Sequence, residues 1–377
     1  MSLALFLCTF LVLYTYIIFP LGIRLLSTYV KPKRNSIDFA ESYQPTVAII
    51  CAMYNEEDVA EEKIANFRSL TYPGLRMYIG SDGSSDSTNE ILAKYSDDKA
   101  LSICTFPRRG KVHVINDLIS SATEDVLVFT DANSMYSQDA IEKLILHLND
   151  PAVGTVCGRL KLVDNSSSSG EGIYWRYEAM LKKAESVFGC VIGANGAIYA
   201  VRRSLVQQLP ADTINDDFTI SMRAFIQGYS IVYAENAIAA EDVGKDDKVE
   251  FKRHVRDAAG HYRAMKYLTA LLNPFHAKRF FFYVSHRVIR WFVPHLMIIS
   301  LGLTLVDLSN QFSKFSFLLQ AVFYFLALLG WLTSSRFVLL YIPFYFTYIN
   351  IAMFVGYLKN IMGIQGVTWD STQRTNA

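Results

Sequence analysis

An α/β domain on a parallel sheet, carried by transmembrane helices, is the fold class this sequence predicts. Three observations lead there. Short β-rich runs alternate with helical patterns from Thr46 to Leu148, long uncharged apolar stretches gather near the two ends, and the middle mixes charge, glycine and amphipathic periodicity in globular proportions. Of the 377 residues, 51% are hydrophobic and only 19% charged, apolar-heavy for a chain that never meets a membrane.

Met1 to Ile23, Phe315 to Ser335 and Phe337 to Leu358 carry no charged side chain, and each is long enough to cross a bilayer. Trp291 to Val306 becomes a fourth span when extended back over Arg290 and Ile289, with the arginine snorkelling to the headgroups. The first stretch reads as a retained anchor: its apolar run is too long for a signal peptide, no basic segment precedes it and no A-x-A-like site follows. Arg24, Lys31, Lys33 and Arg34 follow the first span, and Lys278, Arg279, Arg287 and Arg290 precede the second. The positive-inside rule therefore puts the intervening domain in the cytoplasm. The organisation expected is an anchor at 1–30, a cytoplasmic domain at 44–275, membrane helices at 276–360 and a tail at 361–377. Asn35 to Tyr43 reads as a linker and Ser166 to Ser169 as a loop.

With 36 basic against 35 acidic residues, the chain lacks the positive field that non-specific nucleic-acid binding requires. The cysteines Cys8, Cys51, Cys104, Cys157 and Cys190 form no C-x-x-C pair, against both a zinc site and a disulfide scaffold.

Within the domain, strands are expected at Thr46 to Met53, Met77 to Gly80, Leu101 to Phe106 and Val126 to Thr130, and helices at Glu57 to Leu70, Ser87 to Lys94, Lys111 to Ser121 and Gln138 to Leu148. Parallel sheets bind ligands beyond the carboxyl ends of their strands. Those ends read Tyr54-Asn55-Glu56-Glu57, Ser81-Asp82-Gly83-Ser84-Ser85-Asp86 and Asp131-Ala132-Asn133. No G-x-G-x-x-G follows the first strand and no P-loop occurs, which disfavours a dinucleotide fold and a P-loop NTPase.

Asp82 precedes a glycine-serine turn, Asp131 ends a strand two residues before Asn133, and Asp216-Asp217 opens the helical run FTISMRAFIQG. A nucleotide-sugar site needs an acceptor for base or ribose, a hard-cation ligand for the diphosphate and a base for the incoming hydroxyl, and these spacings supply all three. Here the sequence resembles the membrane-embedded family 2 glycosyltransferases, the group of the cellulose, hyaluronan and poly-N-acetylglucosamine synthases, whose catalytic domain has the GT-A fold. The resemblance runs from Thr46 to about Gly260 and extends to the order of spans.

It implies a role for each motif. Tyr54 and Glu56 lie in the family's Y-N-E-E turn on the nucleotide, although an acidic helix start would read the same. Asp82 matches the D-G-S-x-D turn that holds uracil or ribose, where an ordinary turn is the plain alternative. Lys111, in Arg109-Gly110-Lys111 before Asn116, resembles the lysine that approaches the nucleotide. Asp131 and Asn133 match the D-x-D metal motif with an amide for the second carboxylate, so Mg²⁺ or Mn²⁺ is implied with one charge fewer. Asp216-Asp217-Phe218-Thr219-Ile220-Ser221-Met222-Arg223 aligns with E-D-x-x-L-S-x-R, which makes Asp217 the general base of an inverting transfer and Asp216 its tuner, against a plain helix cap. Gly193 and Asn195, in Gly193-Ala194-Asn195-Gly196-Ala197, resemble the floor beneath the transferred sugar. Tyr174 to Ser186 reads as a packing or interfacial helix.

The pattern also breaks. Where processive synthases have Q-x-x-R-W, this chain has Arg253, Arg256 and then Asp257, so the aromatic platform for a growing chain is missing. Arg253 or Arg256 would help Lys111 offset the diphosphate. His254 and His261 pair with no second ligand at metal spacing. Trp369, Thr372 and Arg374 resemble the gating loop that closes over the nucleotide, which demands a cytoplasmic tail; one span before the domain and three after it put the tail outside, so either a C-terminal apolar segment is re-entrant or interfacial, a shape Pro343 supports, or the match is fortuitous.

The expected function is metal-dependent, inverting transfer from a nucleotide sugar, UDP-linked by resemblance, to a membrane-associated saccharide or lipid carrier at the cytoplasmic face of a bacterial inner membrane. One alternative is a processive synthase that translocates its product, with a partner of a synthase complex or a second copy completing a channel. A nucleotide-sugar-binding subunit without activity is the alternative of a different class.

Overall fold

The computed structural model describes residues 2–30, 43–163, 171–242, 247–333 and 337–367. Most of the expected linker, the serine patch at 166–169 and the tail residues Trp369, Thr372 and Arg374 lie outside them. The chain divides into two compact units. Met1–Tyr29, Asn165–Leu181 and Asp246–Gln365 form a helical unit; Val30–Asp164, Lys182–Lys245 and Gly366–Ala377 form a sheet unit.

Among the described residues the sheet has eight strands: β1 (Val47–Met53), β2 (Arg76–Asp82), β3 (Leu101–Phe106), β4 (Val126–Thr130), β5 (Met135–Tyr136), β6 (Val153–Val163), β7 (Tyr199–Arg202) and β8 (Ser230–Asp242). Their order is β3-β2-β1-β4-β7-β6-β8-β5. All seven residues of β1 are buried, as a strand covered on both faces must be, and VAIICAM is correspondingly a continuous apolar run. One face packs Val47, Ile49, Cys51 and Met53 with Ile64, Phe67, Leu92, Ile141 and Leu144 from three helices. On the other lies the helix Lys111–Ser121, and Gly80 lets it approach: a Cβ there would stand 2.3 Å from Val114 Cγ1.

The four strands expected from the sequence form the parallel part of a sheet that is mixed as a whole. β3, β2, β1 and β4 are parallel, but β7 runs antiparallel to both β4 and β6, and β5 runs antiparallel to β8. The physical reason lies in the connections. The first four strands are joined through helices, as parallel neighbours must be, whereas β7 returns from the helix Glu171–Val187 through the glycine-bearing turn at 193–197 and enters the sheet in the opposite sense to both its neighbours.

In the helical unit, Ser2–Tyr29, Ala277–Val306, Gln311–Thr333 and Val338–Ile361 are long and apolar enough to cross a membrane. The second begins well before Ile289, through a π-helical stretch at Val284–Val288. Val338–Ile361 is one unbroken helix with Pro343 near its start, so the re-entrant bend expected at that proline is absent there. It packs on the helix Asp247–Ala264: a Cβ on Gly356 would stand 2.6 Å from both Ala258 Cβ and the Val255 carbonyl. The expected packing helix is Glu171–Val187, and its Glu178 is buried with Arg290, Arg287 and His286 around it.

Candidate active site

The strand ends of the sheet unit converge by turns that bind one another. After β1 the chain turns through Asn55, whose φ is +51°; its amide donates to Ser84 Oγ at 3.1 Å and its side-chain carbonyl accepts from the Ser85 amide at 2.8 Å. The Glu56 amide donates to Thr88 Oγ1 at 2.9 Å, and the Glu57 amide to Asp86 Oδ2 at 3.1 Å. The Y-N-E-E and D-G-S-S-D segments are thus one folded edge.

Asp82 is fully buried. Its carboxylate accepts from the Arg108 guanidinium at 2.7 Å, the Arg109 amide at 2.7 Å and the Gly110 amide at 2.9 Å. Gly83 at φ +67° and Gly110 at φ +100° make that approach possible, since a Cβ on Gly83 would stand 2.5 Å from the Arg108 amide. The Arg108 guanidinium also lies over the Tyr54 ring, 3.2 Å from its centre. Sequence reasoning misses Arg108; the only signal is a second arginine before Gly110. Asp82 and Tyr54, both expected at the nucleoside, therefore meet at this guanidinium.

Gly110 turns the chain into the helix Lys111–Ser121, whose first residue reaches back to the carboxylates. Lys111 Nζ lies 2.8 Å from Asp131 Oδ1 and 3.3 Å from Asp216 Oδ1. Burial works to lower its pKa, but the charges of Asp131 and Asp216 outweigh it, so the ammonium titrates above the usual lysine range. Asp131 and Asn133 stand on the turn after β4. Gly193 and Gly196 bring a second turn against them: a Cβ on Gly196 would stand 2.8 Å from Asp131 Oδ2, and one on Gly193, at φ +89°, 2.5 Å from the Phe218 ring. Asn195 folds this turn internally, its side chain donating to the Gly158 carbonyl at 3.3 Å and accepting from the Ile198 amide at 3.1 Å.

Asp216 and Asp217 open the helix Asp216–Ile226, where exposed amides and the dipole favour negative charge. Asp217 Oδ1 accepts from the Phe218 amide at 2.7 Å. Burial raises the Asp217 carboxyl most, the Asp216 charge raises it further and Lys111 only partly offsets them, so it is pushed up to about 7. The Asn215 side chain makes no capping bond. Lys111, Asp131, Asp216, Asp217, Gly193 and Asn195 are thus gathered in the sheet unit. Arg253 and Arg256 stand on Asp247–Ala264 of the helical unit, with Arg256 Nη2 3.3 Å from Asp257 Oδ1.

Asp131 and Asn133 offer oxygen ligands of the hard type. Among the described residues no third His, Cys, Asp or Glu completes a set that could hold an ion alone. That donor set fits Mg²⁺ or Mn²⁺ only as a cation taking its remaining ligands from a diphosphate and water, which is the usual habit of Mg²⁺.

Comparison with known proteins agrees with this architecture. Residues 48–209 match the family described as "Glycosyl transferase family 2". The poly-beta-1,6-N-acetyl-D-glucosamine synthase of Staphylococcus aureus strain MSSA476 is 27% identical over 246 residues, covering 63% of this chain and 59% of that protein. The chain thus spans about three-fifths of such relatives. The Staphylococcus epidermidis synthase of the same name is 24% identical over 347 residues, 86% of this chain and 79% of that one. Among solved structures, the mannosyltransferase PcManGT from Pyrobaculum calidifontis, in complex with GDP-Man and Mn²⁺, superposes with a TM-score of 0.69 at 21% identity over 96% of this chain and 99% of that one. The likeness shows a shared GT-A fold.

Proposed function

We propose, from the match of residues 48–209 to glycosyl transferase family 2, that this chain is a family 2 glycosyltransferase that moves a sugar from a nucleotide sugar to a membrane-associated saccharide or lipid carrier in polysaccharide biosynthesis. The observation that carries the proposal is Asp217, a carboxylate at a helix N-terminus pushed up to about 7 beside Asp216, Lys111 and Asp131. A group with that value is half-deprotonated near neutrality and can take a proton from an alcohol as it attacks.

In the reaction proposed, the acceptor hydroxyl loses its proton to Asp217 as its oxygen bonds to the anomeric carbon. The bond from that carbon to the diphosphate oxygen breaks on the opposite face, the nucleoside diphosphate leaves and the configuration inverts. Lys111, held protonated by its carboxylates, supplies positive charge for the leaving diphosphate. Asp131 and Asn133 would hold the divalent cation, which when bound adds Lewis-acid stabilisation of that same charge. Asp82 and Tyr54 shape the nucleoside end through Arg108. The basic flanks of the first two spans support a cytoplasmic catalytic domain at the plasma membrane.

A processive polymerase is the second reading, favoured by the synthases that the chain resembles and opposed by Asp257 where the aromatic platform would stand. One experiment tests both. Purified protein in lipid is incubated with radiolabelled UDP- and GDP-sugars and Mg²⁺ or Mn²⁺, and products are separated into lipid-soluble and polymeric fractions. Label in the lipid fraction supports single transfer, label in polymer the processive reading, and label in neither refutes the proposal.

A further inference from the structure

The turn that carries Asp131 and Asn133 is gripped from two sides by side chains that the proposed chemistry leaves unused. Lys63, on the helix Glu57–Arg68, is only 2% exposed. Its ammonium donates to Thr130 Oγ1 at 2.8 Å and to the Ser134 carbonyl, and lies 4.7 Å from the centre of the Tyr136 ring. Ser134, fully buried, donates its hydroxyl to Glu241 near the end of β8. The held residues, 130 and 134, bracket the two candidate cation ligands.

A lysine buried in a sheet core is costly, and an apolar side chain of similar length would fill the space without that cost. Here the charge is directed at the backbone and hydroxyl of one turn. Mg²⁺ tolerates little deviation from octahedral geometry, so the position of each ligand oxygen matters. It matters more in this chain because Asn133 contributes an amide dipole where a second carboxylate would add charge. We infer that Lys63 and Glu241 are positioning residues for the cation-binding turn, fixing Asp131 and Asn133 through Thr130 and Ser134. This rests on the metal-dependent reading above.

The test measures Mn²⁺ binding directly, by loss of the free-ion electron paramagnetic resonance signal, for the full chain in lipid nanodiscs with UDP and, separately, with GDP. Thermal unfolding is recorded alongside. Lys63→Met keeps the volume and removes the charge; its Mn²⁺ affinity is expected to fall about tenfold, the low end for groups that orient metal ligands, with an unfolding midpoint equal to or above that of the wild type. Ser134→Ala cuts the link to Glu241 while leaving the carbonyl that Lys63 binds, and is expected to weaken Mn²⁺ about fivefold, the worth of one hydrogen bond. It carries the test if Lys63→Met does not fold. A wild-type chain that binds no Mn²⁺ with either nucleotide overturns the metal reading and this inference with it. Wild-type binding matched by the folded variants overturns the inference alone, as does a fall in the unfolding midpoint with Mn²⁺ affinity unmoved.

Discussion

Two buried ion clusters of this chain, among the described residues, are built on opposite balances of charge. In the sheet unit one ammonium, Lys111, faces Asp131 and Asp216 with Asp217 beside them. In the helical unit one carboxylate, Glu178, is met by Arg290, Arg287 and His286. Burial raises both carboxyls, yet the outcomes diverge: Asp216 adds to the rise at Asp217, whereas the arginines overturn it at Glu178 and hold that group well below the usual range. A carboxylate short of cations keeps its proton near neutrality, as acid–base chemistry needs; one saturated with them is fixed as an ion and contributes structure.

That contrast can be broken by substitution. Asp131→Ala removes a charge from the acid-rich cluster and should lower turnover about 10³-fold, the scale of losing one preorganised electrostatic contact, with a matching loss in Mn²⁺ titration. A wild-type titration would refute the role. Glu178→Gln strands the cations of the other cluster and should cost about 3 kcal/mol of stability, read as a lowered unfolding midpoint, while kcat per folded molecule stays unchanged. A selective loss of kcat would place chemistry where the comparison places none.

The pH dependence sharpens it further. If the base must be ionised, kcat/KM should fall about tenfold for each pH unit below about 7. The sign for stability is opposite: Asp217 binds its proton more tightly folded than unfolded, so its contribution to stability declines as pH rises from about 4 to about 7. Glu178, with a depressed value, stabilises above the unfolded carboxyl range, and that support is lost as pH falls through its folded value. The smallest effect is expected from Gly196→Ala. Its Cβ would press on Asp131 Oδ2 from 2.8 Å, and a shift of a few tenths of an ångström should raise the donor KM several-fold without unfolding the chain.

Much of this architecture is legible in the amino-acid sequence. β1, β3 and β4 are readable because each is a short apolar run closed by polar residues, and the uncharged stretches announce their helices by length alone. The second half of the sheet is not: β7 has four residues and pairs antiparallel on both sides, a relation set by tertiary packing and not by any local period. At the site, Asp131, Asp216 and Lys111 can be named because a motif carries each, but the ion pairs joining residues 20 and more positions apart cannot. Lys63 is invisible for the same reason. It lies in an amphipathic helix among Glu61, Glu62 and Arg68, where a lysine reads as solvated surface, yet the fold buries it.

In the proposed reaction the carboxylate at 217 takes the proton from the attacking alcohol. The most direct test of that step is single-turnover transfer by Asp217→Asn, with donor bound to saturation. The expected result is donor affinity close to that of the wild type and a transfer rate lower by about 10²- to 10⁴-fold, the usual share of general base catalysis. Transfer at the wild-type rate would contradict the account.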